Sequence, residues 1–385
     1  MTRRQVLQFA ALPVAGAGAA PITKVETYPV PYPVRGQFRF FRKPERPSVF
    51  VKITCRDGAS GWGQSVPIPT WSYETPESVV STLKSYLAPA LVGRDPLDIA
   101  GAHAAMNRAI APSFSTGMPI AKAGVDLALH DLAGRLAKQS VPMLWNLKAK
   151  PSLPLSWTVN PQTLEETERL VAEGQARGYR HFNVKLAPDP KFDLEMCRIV
   201  RRLAPEGFFC GDANGGYDLD NALAIAPKLA DLWMNVFEQP LPANQLSGYR
   251  EIKKQGALPI LMDEGIVSPV ELVEFIQLKL LDGVAMKPAR TAGLWQARRQ
   301  IEIVQDAGLL FLGSGLTDPD VSLAASLQLY AAYQLEYPAA LNGPQFLAGS
   351  FLREPLKVAN GEIAVPDKPG LGVEVDEARV REAAS

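Results

Sequence analysis

The 385 residues are too many for one small core and enough for a barrel of roughly 200–250 residues plus a second domain. Forty basic residues cancel forty acidic ones, and contents of 47% hydrophobic and 21% charged are those of an ordinary globular chain, so neither a nucleic-acid nor an anionic-membrane partner is expected. Three scattered cysteines, Cys55, Cys197 and Cys210, are an odd number without metal-ligand spacing and argue against a disulfide framework.

In chain order, the first twenty residues stand apart. Arg3-Arg4 precedes a weakly apolar run, Phe9 to Ala20, that ends in the small residues Ala17-Gly18-Ala19. This is the layout of a signal peptide of the twin-arginine type, so residues 1–20 are expected to be an export signal and the mature protein periplasmic or otherwise exported. The alternative is a disordered tail on a cytoplasmic protein. The run is too short for a membrane span, and no other segment approaches one.

Residues 21–147 have an α+β pattern. Strand-like runs at Val25–Val30 and Ser48–Cys55 flank a Phe- and Arg-rich segment, Val34–Lys43. Arg56-Asp57-Gly58 predicts a tight turn. Helical patterns follow at Glu77–Leu87 and Ile120–Ala137, the latter with Val125, Leu129, Leu132 and Leu136 at three- and four-residue intervals.

Across residues 148–344 short apolar runs alternate with helical stretches such as Leu164–Arg177 and Pro269–Leu278. The runs are Leu153–Val159, His181–Leu186, Phe208–Asp212, Asn235–Glu238, Ile260–Asp263, Val284–Met286, Leu309–Leu312 and a segment near Ala340. Eight β-then-α units predict parallel strands with right-handed crossovers, closed into a barrel. No Gly-rich phosphate fingerprint follows the first strand, which disfavours a doubly wound dinucleotide fold. Residues 345–385 are expected to return onto the N-terminal domain. The predicted class is α/β: a (β/α)8 (modified TIM) barrel with an α+β N-terminal capping domain completed by the C-terminal tail.

Charged residues close the apolar runs. Lys185 ends the second, Asp212 the third, Glu238 the fourth, Asp263 the fifth and Lys287 the sixth. Ionised groups are costly to bury unless paired or bound to metal, and the C-terminal ends of barrel strands are where active sites form. Acids on three consecutive strands converge when the barrel closes, and their mutual repulsion calls for a cation. Hard oxygen ligands suit Mg2+, with Mn2+ as a substitute. Lys185 and Lys287 lie on opposite sides of the acid row, where two bases can serve opposite faces of one carbon. A salt bridge at each strand end is the plain structural alternative.

At these residues the chain resembles the enolase superfamily, whose lysine-plus-Mg2+ chemistry is a known pattern of proton abstraction beside a carboxylate. Within it the resemblance is to the muconate-lactonizing-enzyme subgroup of the mandelate racemase/muconate lactonizing enzyme family. Gly61-Trp-Gly-Gln-Ser and Tyr73-Glu-Thr match the capping domain, and Ala123-Gly-Val-Asp-Leu-Ala-Leu-His-Asp-Leu the helix leading into the barrel. Asp212-Ala-Asn-Gly-Gly-Tyr, Phe237-Glu-Gln-Pro-Leu-Pro, Met262-Asp-Glu and Lys287-Pro-Ala-Arg-Thr-Ala-Gly-Leu match the strand ends in order. The resemblance implies that Asp212, Glu238 and Asp263 are metal ligands, Lys185 and Lys287 the catalytic pair, and Asn214 and Glu264 polar supports. The seventh strand carries no histidine of the mandelate-racemase type.

One position departs from the pattern: the first lysine of the family's Lys-x-Lys motif is Asn183, which shares a strand face with Lys185. It carries no charge to depress the pKa of Lys185. Arg39 and Phe40, with Trp71, Tyr73, Ser314 and Asn342, are the expected substrate contacts. Near the eighth strand no Asp-x-Asp pair of the dipeptide-epimerase kind is present. The expected activity is racemisation or epimerisation of an amino-acid derivative, a small-molecule carboxylate, by a homo-oligomer. Cycloisomerisation or syn-elimination (a dehydratase) through the same anion is the alternative, and a non-catalytic metal- or ligand-binding protein a third.

Overall fold

The structure is a computed structural model that describes residues 19–35, 44–112, 115–186 and 188–385. Arg39, Phe40 and most of the twin-arginine segment lie outside the described residues. Runs of β-branched and aromatic residues form β1 (Ile22–Pro33) and β2 (Glu45–Cys55), which with the short glycine-containing β3 (Ser60–Ser65) make an antiparallel sheet in that order. The expected turn joins β2 to β3, with Gly58 at φ +88° and its N–H donating to Cys55 O at 3.0 Å.

Helices α1 (Pro76–Thr82), α2 (Ala88–Leu91), α3 (Ile99–Ala109) and α4 (Pro119–Ala137) follow. A π-helical turn, Leu83–Leu87, joins α1 to α2, so the predicted single helix is interrupted. Sheet and helices meet without spacers: a Cβ on Gly63 would lie 1.9 Å from Gly124 O of α4, and one on Gly61 2.4 Å from Ala128 O. Only glycine permits that approach.

α4 is buried from Pro119 to Gly134 because it lies between the cap and the barrel. Asp126 is its strut. It accepts from Leu294 N at 2.5 Å and contacts His103 Nε2 of α3 at 2.8 Å and His130 Nδ1 at 3.2 Å. Burial opposes the charge on Asp126, but the two histidines hold its carboxyl well below the usual carboxylate range.

After α5 (Val141–Leu144) and β4 (Ser152–Pro154), the chain builds a parallel sheet. Its strands are β5 (Ser156–Val159), β6 (His181–Lys185), β7 (Phe209–Asp212), β8 (Val236–Glu238), β9 (Ile260–Met262), β10 (Gly283–Met286) and β11 (Leu310–Gly313). They are ordered in space as in sequence. Helices α6 (Leu164–Ala176), α7 (Pro190–Leu203), α8 (Leu219–Asp231), α9 (Leu246–Gln255), α10 (Pro269–Gln277) and α11 (Leu294–Asp306) make the crossovers. α12 (Asp320–Ala332) leads to the eighth position, where Ala339 bridges Leu155 and Ala340 bridges Ser314, closing β11 onto β5.

Cys210, Val236, Leu261 and Leu312 pack together in a separate apolar cluster, each on a different barrel strand. After α13 (Gly343–Phe346), β12 (Val358–Ala359) and β13 (Glu362–Ala364) pair with β4, and α14 (Glu377–Ala383) reaches the cap sheet. The tail is fastened there by Lys52 to Glu377 at 2.7 Å and Arg135 to Glu374 at 2.9 Å.

Candidate metal centre and active site

Side chains on a strand alternate, so residues two positions beyond Cys210, Val236 and Leu261 project from the same face, one layer higher. Those residues are Asp212, Glu238 and Asp263. All three are fully buried, and they offer carboxylate oxygens within 4.8 Å of one another. Among the described residues this is the one cluster of three side chains arranged to hold a metal ion.

Three cations surround it. Lys185 contacts Asp212, while Lys287 and Arg290 contact the two oxygens of Asp263. Glu238 receives no such contact, and its Oε1 is buried without a hydrogen-bond partner. The electrostatics divide accordingly. Burial, then Asp212 and Asp263, hold the Glu238 carboxyl well above the usual range. At Asp263 burial pushes the same way, but Lys287 and Arg290 outweigh it and hold the group low. Burial disfavours the ammonium of Lys185, yet Asp212, Glu238 and Asp263 together keep it above the ordinary lysine value. An orphaned carboxylate oxygen within an all-oxygen donor set fits a hard divalent cation.

The backbone behind the acids is strained. Asn214 has φ +45° and Gln239 φ +40°, left-handed values that are uncommon outside glycine. Asn214 N donates to Asp212 Oδ1 at 2.9 Å, and its Nδ2 reaches Glu264 Oε1 at 3.2 Å. Gln239 Oε1 accepts from Asp263 N at 2.8 Å and Gly265 N at 3.2 Å, tying the end of β8 to the end of β9. Sequence reasoning missed Gln239 and Arg290 as parts of the site. The available signal was a polar residue directly after Glu238, and a second cation three residues after Lys287.

The cap enters the site through Trp71. Its Nε1 donates to Glu264 Oε1 at 2.6 Å, and Lys287 Nζ lies 4.5 Å from its ring centroid. Burial, then Asp263 and Asp212, push the Glu264 carboxyl up to about 7. Tyr73, at φ +55°, is 65% exposed, unlike the neighbouring Glu74, which is buried. The loop bearing Trp71 is steadied by buried Arg46, which donates to Pro67 O at 2.7 Å, Val66 O at 2.8 Å and, across to the barrel, Leu316 O at 2.8 Å. Ser314, buried at the end of β11, donates its N–H to Met286 O at 2.9 Å. Asn342 is buried beside β5, and Asn183 is buried two residues before Lys185.

Residues 25–145 match the mandelate racemase / muconate lactonizing enzyme N-terminal domain, and residues 164–379 the enolase C-terminal domain-like family. Chloromuconate cycloisomerase of Cupriavidus necator is 31% identical over 368 residues, 94% of this chain and 98% of its own. N-succinyl-L-Arg/Lys racemase of Bacillus cereus is 27% identical over 370 residues, 94% of this chain and 97% of its own. The crystal structure of muconate lactonizing enzyme from Pseudomonas fluorescens complexed with muconolactone is similar with a TM-score of 0.88 at 25% identity, covering 95% of this chain and 100% of that one. With both halves matched and relatives aligned over nearly their full length, the chain belongs to the mandelate racemase / muconate lactonizing enzyme family of the enolase superfamily, in its muconate-lactonizing subgroup.

Proposed function

We propose that Asp212, Glu238 and Asp263 hold one Mg2+, for which Mn2+ substitutes, and that Lys185 and Lys287 exchange a proton at the carbon beside a substrate carboxylate. The observation that carries this reading is the orphaned, buried Glu238 oxygen between two further carboxylates, with a lysine at each end of the row. When bound, the divalent ion supplies the positive charge that stabilises the anion left on the carboxylate as the proton departs.

The chain's own residues do the rest. One lysine removes the proton from one face of the carbon, and the other returns a proton to the opposite face. Arg290 holds Asp263 in position, and Asn214 and Gln239 fix the strand ends. Trp71 covers Lys287 and excludes water. Two lysines flanking the acid row favour racemisation or epimerisation of an amino-acid derivative, the reaction type in the name of the Bacillus cereus relative. Cycloisomerisation is the second reading, favoured by the name of the Cupriavidus necator relative. The isomerase class covers both.

Solvent-deuterium exchange across a library of N-acyl amino acids, dipeptides, proline derivatives and muconates tests the proposal. Exchange with inversion supports racemisation, and ring formation supports cycloisomerisation. Lys185→Ala and Lys287→Ala should each lower the rate by at least about 100-fold, as expected for loss of a general acid or base. No exchange by the parent protein with any acid would leave the binding-only alternative standing. We further propose export by the Arg3-Arg4 segment and assembly as a homo-oligomer; light scattering tests the latter.

A further inference from the structure

We infer that Thr158, Asn183 and Asn342 form an uncharged, amide-lined subsite beside Lys185 that takes a neutral hydrogen-bonding group of the substrate, such as a carboxamide or the amide of an N-acyl amino acid, in preference to a second carboxylate. The inference rests on the proposed seating of one substrate carboxylate at the metal.

The subsite is built by three neighbouring elements. Thr158 on β5 and Asn183 on β6 are register partners, so their side chains leave the same face about 4.8 Å apart. Asn183 lies two residues before Lys185, on the same face and one layer deeper, a rise of about 6.6 Å. Asn342 follows the eighth strand position, and its Nδ2 approaches Thr158 Oγ1 at 3.4 Å. The relative exposures of Thr158, Asn183 and Asn342 are 1%, 2% and 8%. Gln345 clamps the Thr158 backbone from the other side, accepting from its N–H at 3.0 Å and donating to its carbonyl at 2.8 Å. The groups are therefore held in position before any ligand arrives.

Two hydrogen-bonding atoms here have no partner. Asn183 Oδ1 and Asn342 Oδ1 are both buried and unsatisfied. Buried polar atoms are normally paired, so two orphans in one cluster call for a ligand that donates to them. An asparagine amide has one accepting and one donating edge, so turning either amide over still leaves a hydrogen-bonding atom facing the same space. Charge sets the preference. Lys185, the cation adjoining the subsite, already contacts Asp212, and Glu238 and Asp263 lie beyond it. A second carboxylate seated here would lose its hydration against uncharged side chains, whereas a neutral amide satisfies the orphans without that cost.

Succinamate and succinate differ only in carrying an amide or a carboxylate at one end, and they are the probes. Calorimetric titration of each into the Mg2+-loaded full chain should give succinamate at least a tenfold tighter Kd. Asn183→Lys should invert the preference, and Asn183→Leu, with its fold checked by circular dichroism, should abolish it. Equal or tighter binding of succinate by the parent protein overturns the subsite while leaving the carboxylate reading intact, as does a preference that survives in Asn183→Leu. Failure of both acids to bind the Mg2+-loaded protein overturns the carboxylate reading and the subsite together.

Discussion

Burial raises the pKa of any carboxyl, and the contrast between Glu238 and Asp263 comes from what else each one touches. Asp263 has two cations in contact and Glu238 has none, although both are fully buried. That much was foreshadowed in the sequence, because ionised residues that close apolar runs need partners. Gln239 and Arg290 left only a trace, as a polar residue directly after Glu238 and a second cation after Lys287, and Arg46 left none. Arg46 acts on Leu316, 270 residues away, and no local pattern announces such a contact. Trp71 was legible only as an aromatic on a cap loop, not as the donor to Glu264. Replacing it separates its two contacts. Trp71→Phe keeps a ring beneath Lys287 and removes one hydrogen bond, so kcat/KM should fall about 5-fold, equivalent to about 1 kcal/mol. Trp71→Ala removes both contacts and should lower it about 30-fold, given about 1 kcal/mol more from the cation–π contact. Steady-state kinetics on the acid that shows deuterium exchange checks both values.

At the scale of elements, α4 was read correctly from its three- and four-residue spacing, but its burial on nearly every face depends on the two bodies it separates. The π-turn at Leu83–Leu87 has no sequence mark distinct from the helix around it. The eighth strand is reduced to single bridges at Ala339 and Ala340, too short for periodicity to register. The start of α4 also differs from a sequence-marked cap. Met118 makes no side-chain cap bond, and Glu74, from the loop that bears Trp71, accepts instead from Ile120 N at 2.7 Å and Ala121 N at 3.0 Å. Burial nevertheless outweighs those donors and nearby Lys122, and pushes the Glu74 carboxyl from 4.5 up to about 7. Between these values the folded chain binds a proton that the unfolded chain does not. Stability from Glu74 is therefore complete below pH 4.5 and is lost as pH rises toward about 7, at up to about 1.4 kcal/mol per pH unit. Glu74→Gln, neutral throughout, should remove this slope. Denaturant titrations of both proteins from pH 5 to 8 should diverge in its favour as pH rises, and parallel curves would contradict the assignment.

For the whole molecule, cap and barrel are fastened at several separate places: Asp126 on the start of α11, Arg46 on Leu316, Trp71 on Glu264, and the tail on the cap sheet. The order of strands and the ordered strand-end motifs made the barrel legible, whereas these fastenings emerge only from the folded chain. Export is tested on the same scale. Protein recovered from its native source should begin near Ala20, and an N-terminus at Met1 would rule out cleavage of the first segment. The metal is the central claim, and calorimetry with Mg2+ addresses it without any substrate. The parent protein should bind one ion per chain, and Glu238→Gln, which keeps shape but loses the charge, should weaken binding on the order of 100-fold. Equal Mg2+ affinity in the two proteins, or no binding by the parent, would contradict the account.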